Sequence, residues 1–281
     1  MGSGFGISLC MIVKDEEKIL EKCLNHIHRY VDEIIIVDTG SKDKTIEIAK
    51  KYTEKIYNFK WNDNFSEARN FSLQFATKEW ILVQDADEFI QGASEIRDFL
   101  PETTLDCIAI AKINIHINYD ILDSFSEVGV FLTNKEYLQD CYYTSQEKIL
   151  RNYCGFKYSG AVHEIVVDEH MKRPNIISFS NKLLHLMDID KKGYKSDFYN
   201  TLGIRALYEG DKNINLLVRH LLYSLEKDNI LEFYKLFDDF SDKLKYENRM
   251  DFLLPDFDKF ICKLHETYRK RFLEWIEIGD S

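Results

Sequence analysis

The stretch Ile81-Leu-Val-Gln-Asp-Ala-Asp-Glu-Phe89 continues an apolar run that begins at Trp80 and then delivers two carboxylates, Asp85 and Asp87, one residue apart. Trp80 to Val83 has the length and composition of a strand buried on both faces. Side chains alternate faces along an extended segment, so carboxylates two residues apart point the same way. Two such anions repel each other unless something positive lies between them. A hard divalent cation suits, because it takes oxygen ligands and bridges to phosphate oxygens. An acidic turn after a strand has the same composition, and a bare Asp-x-Asp is a frequent pattern.

Toward the N-terminus the pattern is strand, helix, strand, helix. Residues 7–13, Ile-Ser-Leu-Cys-Met-Ile-Val, read as a buried strand. Ile19, Leu20, Cys23, Leu24 and Ile27 then fall on one helical face, with Asp15, Glu16 and Glu17 favouring its N-terminus. Glu33-Ile-Ile-Ile-Val-Asp38 is a second buried strand, and Thr39-Gly-Ser-Lys-Asp43 makes the turn into a helix carrying Ile46, Ile48 and Ala49. Ile56–Phe59 is a short third strand, and a helix covers about Ser66–Ala76. This alternation predicts a parallel, doubly wound α/β sheet, which binds ligands at the carboxyl ends of its strands near the switch point. The Asp85–Asp87 pair sits at one such end.

Toward the C-terminus strands dominate to about residue 186: Cys107–Ile117, Val128–Leu132, Gln146–Leu150, Ala161–Val167 and Leu183–Met187. They read as the second half of one mixed sheet. After Gly193 the pattern turns helical. A domain boundary is therefore expected near 190, with a catalytic domain over 1–190 (halves 7–100 and 101–190) and a helical extension over 191–281. The extension carries apolar faces, including Tyr194, Phe198, Leu217, Leu221 and Phe233, that pack on the first domain, on a second copy or on a polypeptide.

Composition excludes several classes. The 281 residues are 45% hydrophobic and 14% aromatic, which rules out general disorder. A net charge of −11 argues against a nucleic-acid surface. No apolar run is long enough for stable membrane insertion and no signal peptide opens the chain, so a cytoplasmic location is expected. Six scattered cysteines without a C-x-x-C pair fit reduced thiols better than disulfides or zinc.

Four blocks in order, Cys10-Met-Ile-Val-Lys-Asp-Glu-Glu17, Ile35-Ile-Val-Asp-Thr-Gly-Ser-Lys-Asp-Lys-Thr45, Phe65-Ser-Glu-Ala-Arg-Asn70 and Gln84-Asp-Ala-Asp-Glu88, resemble the nucleotide-sugar half of a family 2 glycosyltransferase. Ile149-Leu-Arg-Asn152 and Tyr158-Ser-Gly-Ala-Val-His-Glu164 resemble the acceptor half of a bacterial branch that includes lipopolysaccharide-core transferases and peptide S-glycosyltransferases. Residues 191–281 match only loosely. The resemblance implies a GT-A fold, a mixed and mostly parallel sheet flanked by helices. It also implies a UDP-sugar donor, a polypeptide or glycan acceptor, and Mn²⁺ or Mg²⁺ as cofactor.

The resemblance further implies roles. Val13, Asp15, Glu16, Asp38, Gly40, Arg69, Asp85 and Ala86 would surround the nucleotide sugar, although Asp15 stands where the family usually has Asn. Asp38 would accept the imide N–H of uracil, Gly40 would let backbone approach the ligand, and Arg69 would offset diphosphate charge. Asp87 would ligate the cation directly, Asp85 would contact the ribose or share the metal through water, and His185, late in the chain, would complete the metal shell or be a hydrogen-bonded core histidine. Glu164 is the candidate base for inverting transfer. Its neighbour His163 is a core histidine or a second site group, and Arg151 an outward strand residue or a phosphate contact. Glu88 reads as an acid opening a loop or as a partner supporting the acidic pair, and Asp43 as a helix cap. A homodimer through the helical region is a further expectation.

Overall fold

The computed structural model describes residues 5–119 and 142–188, apart from 163, 173 and 175, together with residue 202. The chain divides into two compact units, Met1–Lys195 and Ser196–Ser281, and the elements below belong to the first. The strand expected over Val128–Leu132, His163 and the helices expected after Gly193 lie outside the described residues, Leu202 excepted.

β1 (Ile7–Val13), β2 (Glu33–Asp38), β3 (Ile56–Asn58) and β4 (Trp80–Val83) are parallel and lie in the order β3, β2, β1, β4. The chain winds outward from β1 to β3 and then returns to the other side of β1, so the switch point lies between β1 and β4. β7 (Tyr142–Arg151) runs antiparallel to β4 and to β6 (Cys107–Ile117). Beyond β6 come β10 (Ile176–Asp188), parallel to it, and β5 (Glu88–Ile90), antiparallel to β10. The two halves therefore form one mixed eight-stranded sheet, as the change of texture after residue 105 predicts. A separate hairpin pairs β8 (Lys157–Ser159) with β9 (Ile165–Val167).

Alternation along the strands builds a core on each face. Leu9, Met11, Val13, Ile36, Trp80 and Leu82 pack with Leu20, Leu24 and Ile27 of α1 (Leu20–Ile27), Ile48 and Ala49 of α2 (Thr45–Ala49) and Ile96 of α4 (Ala93–Phe99). Cys10, Ile35, Ile81 and Val83 face the other way, toward Leu73 of α3 (Phe65–Leu73) and toward Tyr158 and Val166 of the hairpin. Each fully buried aliphatic side chain contributes about 1.5–3 kcal/mol of transfer free energy, which explains why the apolar runs specify the strands.

Helix α3 begins at a built cap. The Asn64 side chain accepts from Glu67 N–H at 3.1 Å and its amide donates back to the Glu67 carboxylate at 3.1 Å. The strand expected over Ala161–Val167 is shorter. Gly160 takes φ 103°, which breaks the extended run. Ala161 O then accepts from Phe65 N–H at 2.9 Å, and Gly160 O from the Ser66 hydroxyl at 2.5 Å. These bonds dock the segment leading to Glu164 on the first turn of α3.

Candidate active site

The carboxyl ends of β1, β2 and β4 lie together, and the loops there are laced to one another. Asp15 N–H donates to Ser41 Oγ at 3.0 Å, and the Asp15 carboxylate accepts from Lys42 N–H at 2.7 Å. Glu16 N–H donates to Thr45 Oγ1 at 2.7 Å. Thr39 N–H reaches Val13 O at 3.0 Å. Asp43 caps Thr45 N–H at 2.9 Å, the role its position predicts, and also accepts from Glu17 N–H at 3.0 Å. Asp38, at the end of β2, accepts from the N–H groups of Gly40 and Ser41 at 3.1 Å each. Gly40 takes φ 110°, and a side chain there would meet nothing within 4 Å. The backbone of this turn is thus open to close approach by a ligand.

After Val83 the chain stops alternating. Glu88 N–H donates to Asp85 O at 3.1 Å, closing a turn over residues 85–88. Asp85 and Asp87 therefore do not share a face, which corrects the expectation drawn from extended geometry. The Asp85 carboxylate is gripped by the Arg69 guanidinium, Nη1 to Oδ1 at 2.8 Å and Nη2 to Oδ2 at 3.2 Å. Asp87 instead meets His185 of β10, Oδ2 to Nε2 at 3.3 Å. The His185 Nδ1 is 2.8 Å from Asn114 Oδ1, an acceptor to which the Nδ1–H tautomer donates. In that tautomer Nε2 offers a lone pair beside the Asp87 carboxylate, a pairing of donors that would suit a cation. An oxygen and a nitrogen donor converge here, of the kind that would suit Mn²⁺ or Mg²⁺. Among the described residues no cluster of three or more His, Cys, Asp and Glu side chains forms a cage.

Arg69 is buried and does not stand free beside a diphosphate. Its Nε–H donates to Glu164 Oε1 at 2.5 Å while its Nη atoms hold Asp85, and its guanidinium lies 5.7 Å from the Tyr158 ring centre. Burial alone would lower the Arg69 pKa, but Asp85 and Glu164 outweigh it and raise the value well above the ordinary one. Burial likewise acts to raise Asp85, and the charges of Arg69 and Lys148 reverse that and hold its carboxyl well below the usual range. Glu164 stands just before β9, outside the main sheet, and reaches the site through Arg69.

Glu88 opens β5 rather than a loop and is fully buried beside Asp85. Its carboxylate meets Lys112 Nζ at 2.8 Å and Lys148 Nζ at 2.7 Å and accepts from Asp85 N–H at 2.9 Å. Arg151 lies 4.3 Å from the centre of the Trp80 ring and pairs with Glu79 at 2.5 Å and Asp106 at 2.9 Å. Trp80 begins β4, so Arg151 is a structural residue at the far end of the strand from Asp85. Sequence reasoning missed Lys112, Asn114 and Lys148. Lys112 and Asn114 sit two apart on β6, and this alternation of polar side chains in an Ile-rich strand was the signal available. It also missed Cys23 and Gln84, which support the turn from below: the Gln84 amide donates to Cys23 Sγ at 3.1 Å and to Glu88 O at 2.7 Å.

A family model described as glycosyl transferase family 2 matches residues 8–117. These residues form a family 2 glycosyltransferase domain. The family 2 domain holds Asp15, Asp38, Arg69, Asp85 and Asp87, whereas Glu164 and His185 come from beyond it. A TPR repeat-containing protein of Synechococcus elongatus is 45% identical over 98 residues, covering 34% of this chain and 24% of that protein. The SPbeta prophage-derived glycosyltransferase SunS of Bacillus subtilis is 34% identical over 109 residues, covering 36% of this chain and 26% of SunS. The chain thus spans about a quarter of the length of these relatives. The S. aureus TarS 1–349 structure with UDP overlaps 98% of this chain and 88% of that one, at 14% identity and a TM-score of 0.44.

Proposed function

We propose that the protein is a metal-dependent, inverting glycosyltransferase that moves a hexose or N-acetylhexosamine from a UDP-sugar to a polypeptide side chain. The observation that carries this reading is the meeting of Asp87 with His185 beside the Arg69–Asp85 pair, at the carboxyl ends of strands in a family 2 domain. Asp87 and His185 would hold a divalent ion, Mn²⁺ or Mg²⁺, which would supply charge neutralisation at the UDP leaving group. Val13, Asp15, Glu16, Asp38, Gly40, Asp85 and Ala86 line the nucleotide side. Asp38 accepts from the uracil imide while its turn brings Gly40 against the ligand. Arg69 keeps the donor residue Asp85 and the base Glu164 at a fixed separation. Glu164 takes the acceptor proton as the new bond forms on the face opposite the departing UDP.

A polypeptide acceptor is favoured by the apolar helical faces expected over residues 191–281, which also offer a route to a homodimer. A lipopolysaccharide or other surface glycan is the second reading. A nucleotidyltransferase is disfavoured, because Lys14-Asp-Glu-Glu17 after β1 is acidic and lacks the glycines that cradle a triphosphate. Among the described residues no helix is long and apolar enough to cross a membrane, which is compatible with work in the cytoplasm.

The test is UDP release from a panel of UDP-sugars with polypeptide acceptors, with and without EDTA, followed by intact mass of the acceptor. Chelation abolishes turnover, and Asp87→Ala lowers it by about 10²-fold or more. Turnover that survives both treatments refutes the metal mechanism.

A further inference from the structure

β7 carries a bulge beside the candidate site. Ile149 pairs with Ile108 and Glu147 with Ala109, which leaves Lys148 as an extra residue in the ladder. β4 pairs with β7 only as far as Leu82 opposite Ile149, so the bulge lies at the point where β4 gives way to the turn bearing Asp85. Bulges of this kind re-aim a side chain, and this one delivers Lys148 into the interior at 1% exposure. Its Nζ lies 2.7 Å from Glu88 Oε2, an ion pair outside hydrogen-bond angles, and 3.7 Å from Asp85 Oδ2. Lys112 approaches the same Glu88 from β6 and also reaches Gln146 Oε1 at 3.4 Å. Burial opposes the charge on Lys112, and Glu88 and Asp85 outweigh it and raise its pKa.

Two lysines and a glutamate buried where strands could carry aliphatic residues are a poor way to gain stability, since apolar residues of like volume often serve as well. What the cluster supplies is orientation. Glu88 fixes the Asp85 main chain through its N–H, while Lys148 and Arg69 hold the Asp85 carboxylate from two sides. We propose that Lys148, placed by the β7 bulge and working with Lys112 through Glu88, is a positioning residue that sets the orientation in which Asp85 meets the donor nucleotide. The donor identity rests on the function proposed above; the bracing of the 84–88 turn does not.

The experiment compares wild type, Lys148→Met, Lys148→Arg and Lys148→Gln, all of which leave the Lys112–Glu88 pair intact. UDP affinity with Mn²⁺ is read by calorimetry, and amide exchange is read across residues 84–88. Lys148→Met is expected to weaken UDP about 10-fold and to speed exchange at Asp85 by a similar factor, with Lys148→Arg recovering most of both. Folded Lys148→Met with wild-type exchange and wild-type UDP affinity overturns the proposal, as does an Arg variant no better than Met. Should Lys148→Met fail to fold, Lys148→Gln keeps a polar side chain at the bulge while Glu88 stays paired with Lys112, and unchanged turn exchange there overturns the proposal equally. A wild type that binds no UDP refutes the donor reading, while the exchange comparison still decides whether Lys148 braces the turn.

Discussion

Glu33 shows how a single carboxylate serves stability at the end of the strands away from the site. It opens β2, accepts from Thr77 N–H and the Thr77 hydroxyl at 2.8 Å each, and is also bonded to Ser8 and Lys55. Burial acts to raise its pKa, and these partners together overcome it and lower the value from 4.5 to about 2. A carboxylate depressed in this way stabilises the fold fully above its unfolded pKa and loses that contribution as pH falls through its folded pKa. Glu33→Gln should therefore cost on the order of 2 kcal/mol at pH 7, allowing for the half-exposed Lys55 partner. Urea unfolding at several pH values checks it: the gap between wild type and variant closes between pH 4.5 and about 2. At the site itself the residues that were legible one by one are those whose neighbours are local. Asp43 holds the start of its own helix, which follows from sequence position, and Asp38 accepts within its own turn. Arg69 was legible as a site residue, but its double grip on Asp85 and Glu164 joins residues 16 and 95 positions away, which no local pattern reveals.

At the scale of elements, the apolar runs and helical periods located β1, β2, β4, β6 and α1 closely, because burial of alternating or one-sided aliphatic faces is a local property of the chain. β5 and α4 were not foreseen. β5 is three residues long, and it is a strand only because β10 supplies a partner at Leu183, Leu184 and His185. The 84–88 turn was one of two readings the acidic pair left open, and the residues that hold it, Cys23, Lys112 and Lys148, lie on three other elements. Gly40 illustrates an element-scale requirement that the sequence does announce. Its φ of 110° suits glycine, and open space lies where a side chain would point. Gly40→Ala is expected to cost about 1 kcal/mol through backbone strain rather than a clash. It should also weaken UDP binding more than it shifts the thermal midpoint, and calorimetry beside a melting curve separates the two effects.

At the scale of the whole molecule, a ligand that binds only the folded state stabilises it by mass action. UDP with Mn²⁺ at about 100 times its dissociation constant should add about 2.7 kcal/mol, seen as a raised thermal midpoint that EDTA reverses. Asp87→Ala should abolish the metal-dependent part of that shift while leaving the unliganded midpoint near wild type. An equal shift from UDP with or without Mn²⁺ would show that no ion bridges the protein and the diphosphate. The sheet as a whole explains why such a site exists: parallel strands turn their carboxyl ends one way, and the return past β1 opens a crevice there. By itself, the sequence determined the strand and helix inventory of residues 7–83, the family 2 blocks and the local caps, because periodicity, burial and turn chemistry act within a few residues. Only the tertiary structure decided that Asp85 and Asp87 part company, that His185 joins Asp87, and that Lys148 and Lys112 meet under the turn. Those are contacts between strands distant in the chain, fixed by register and by one bulge, and buried charges find their partners only once the sheet has brought them together.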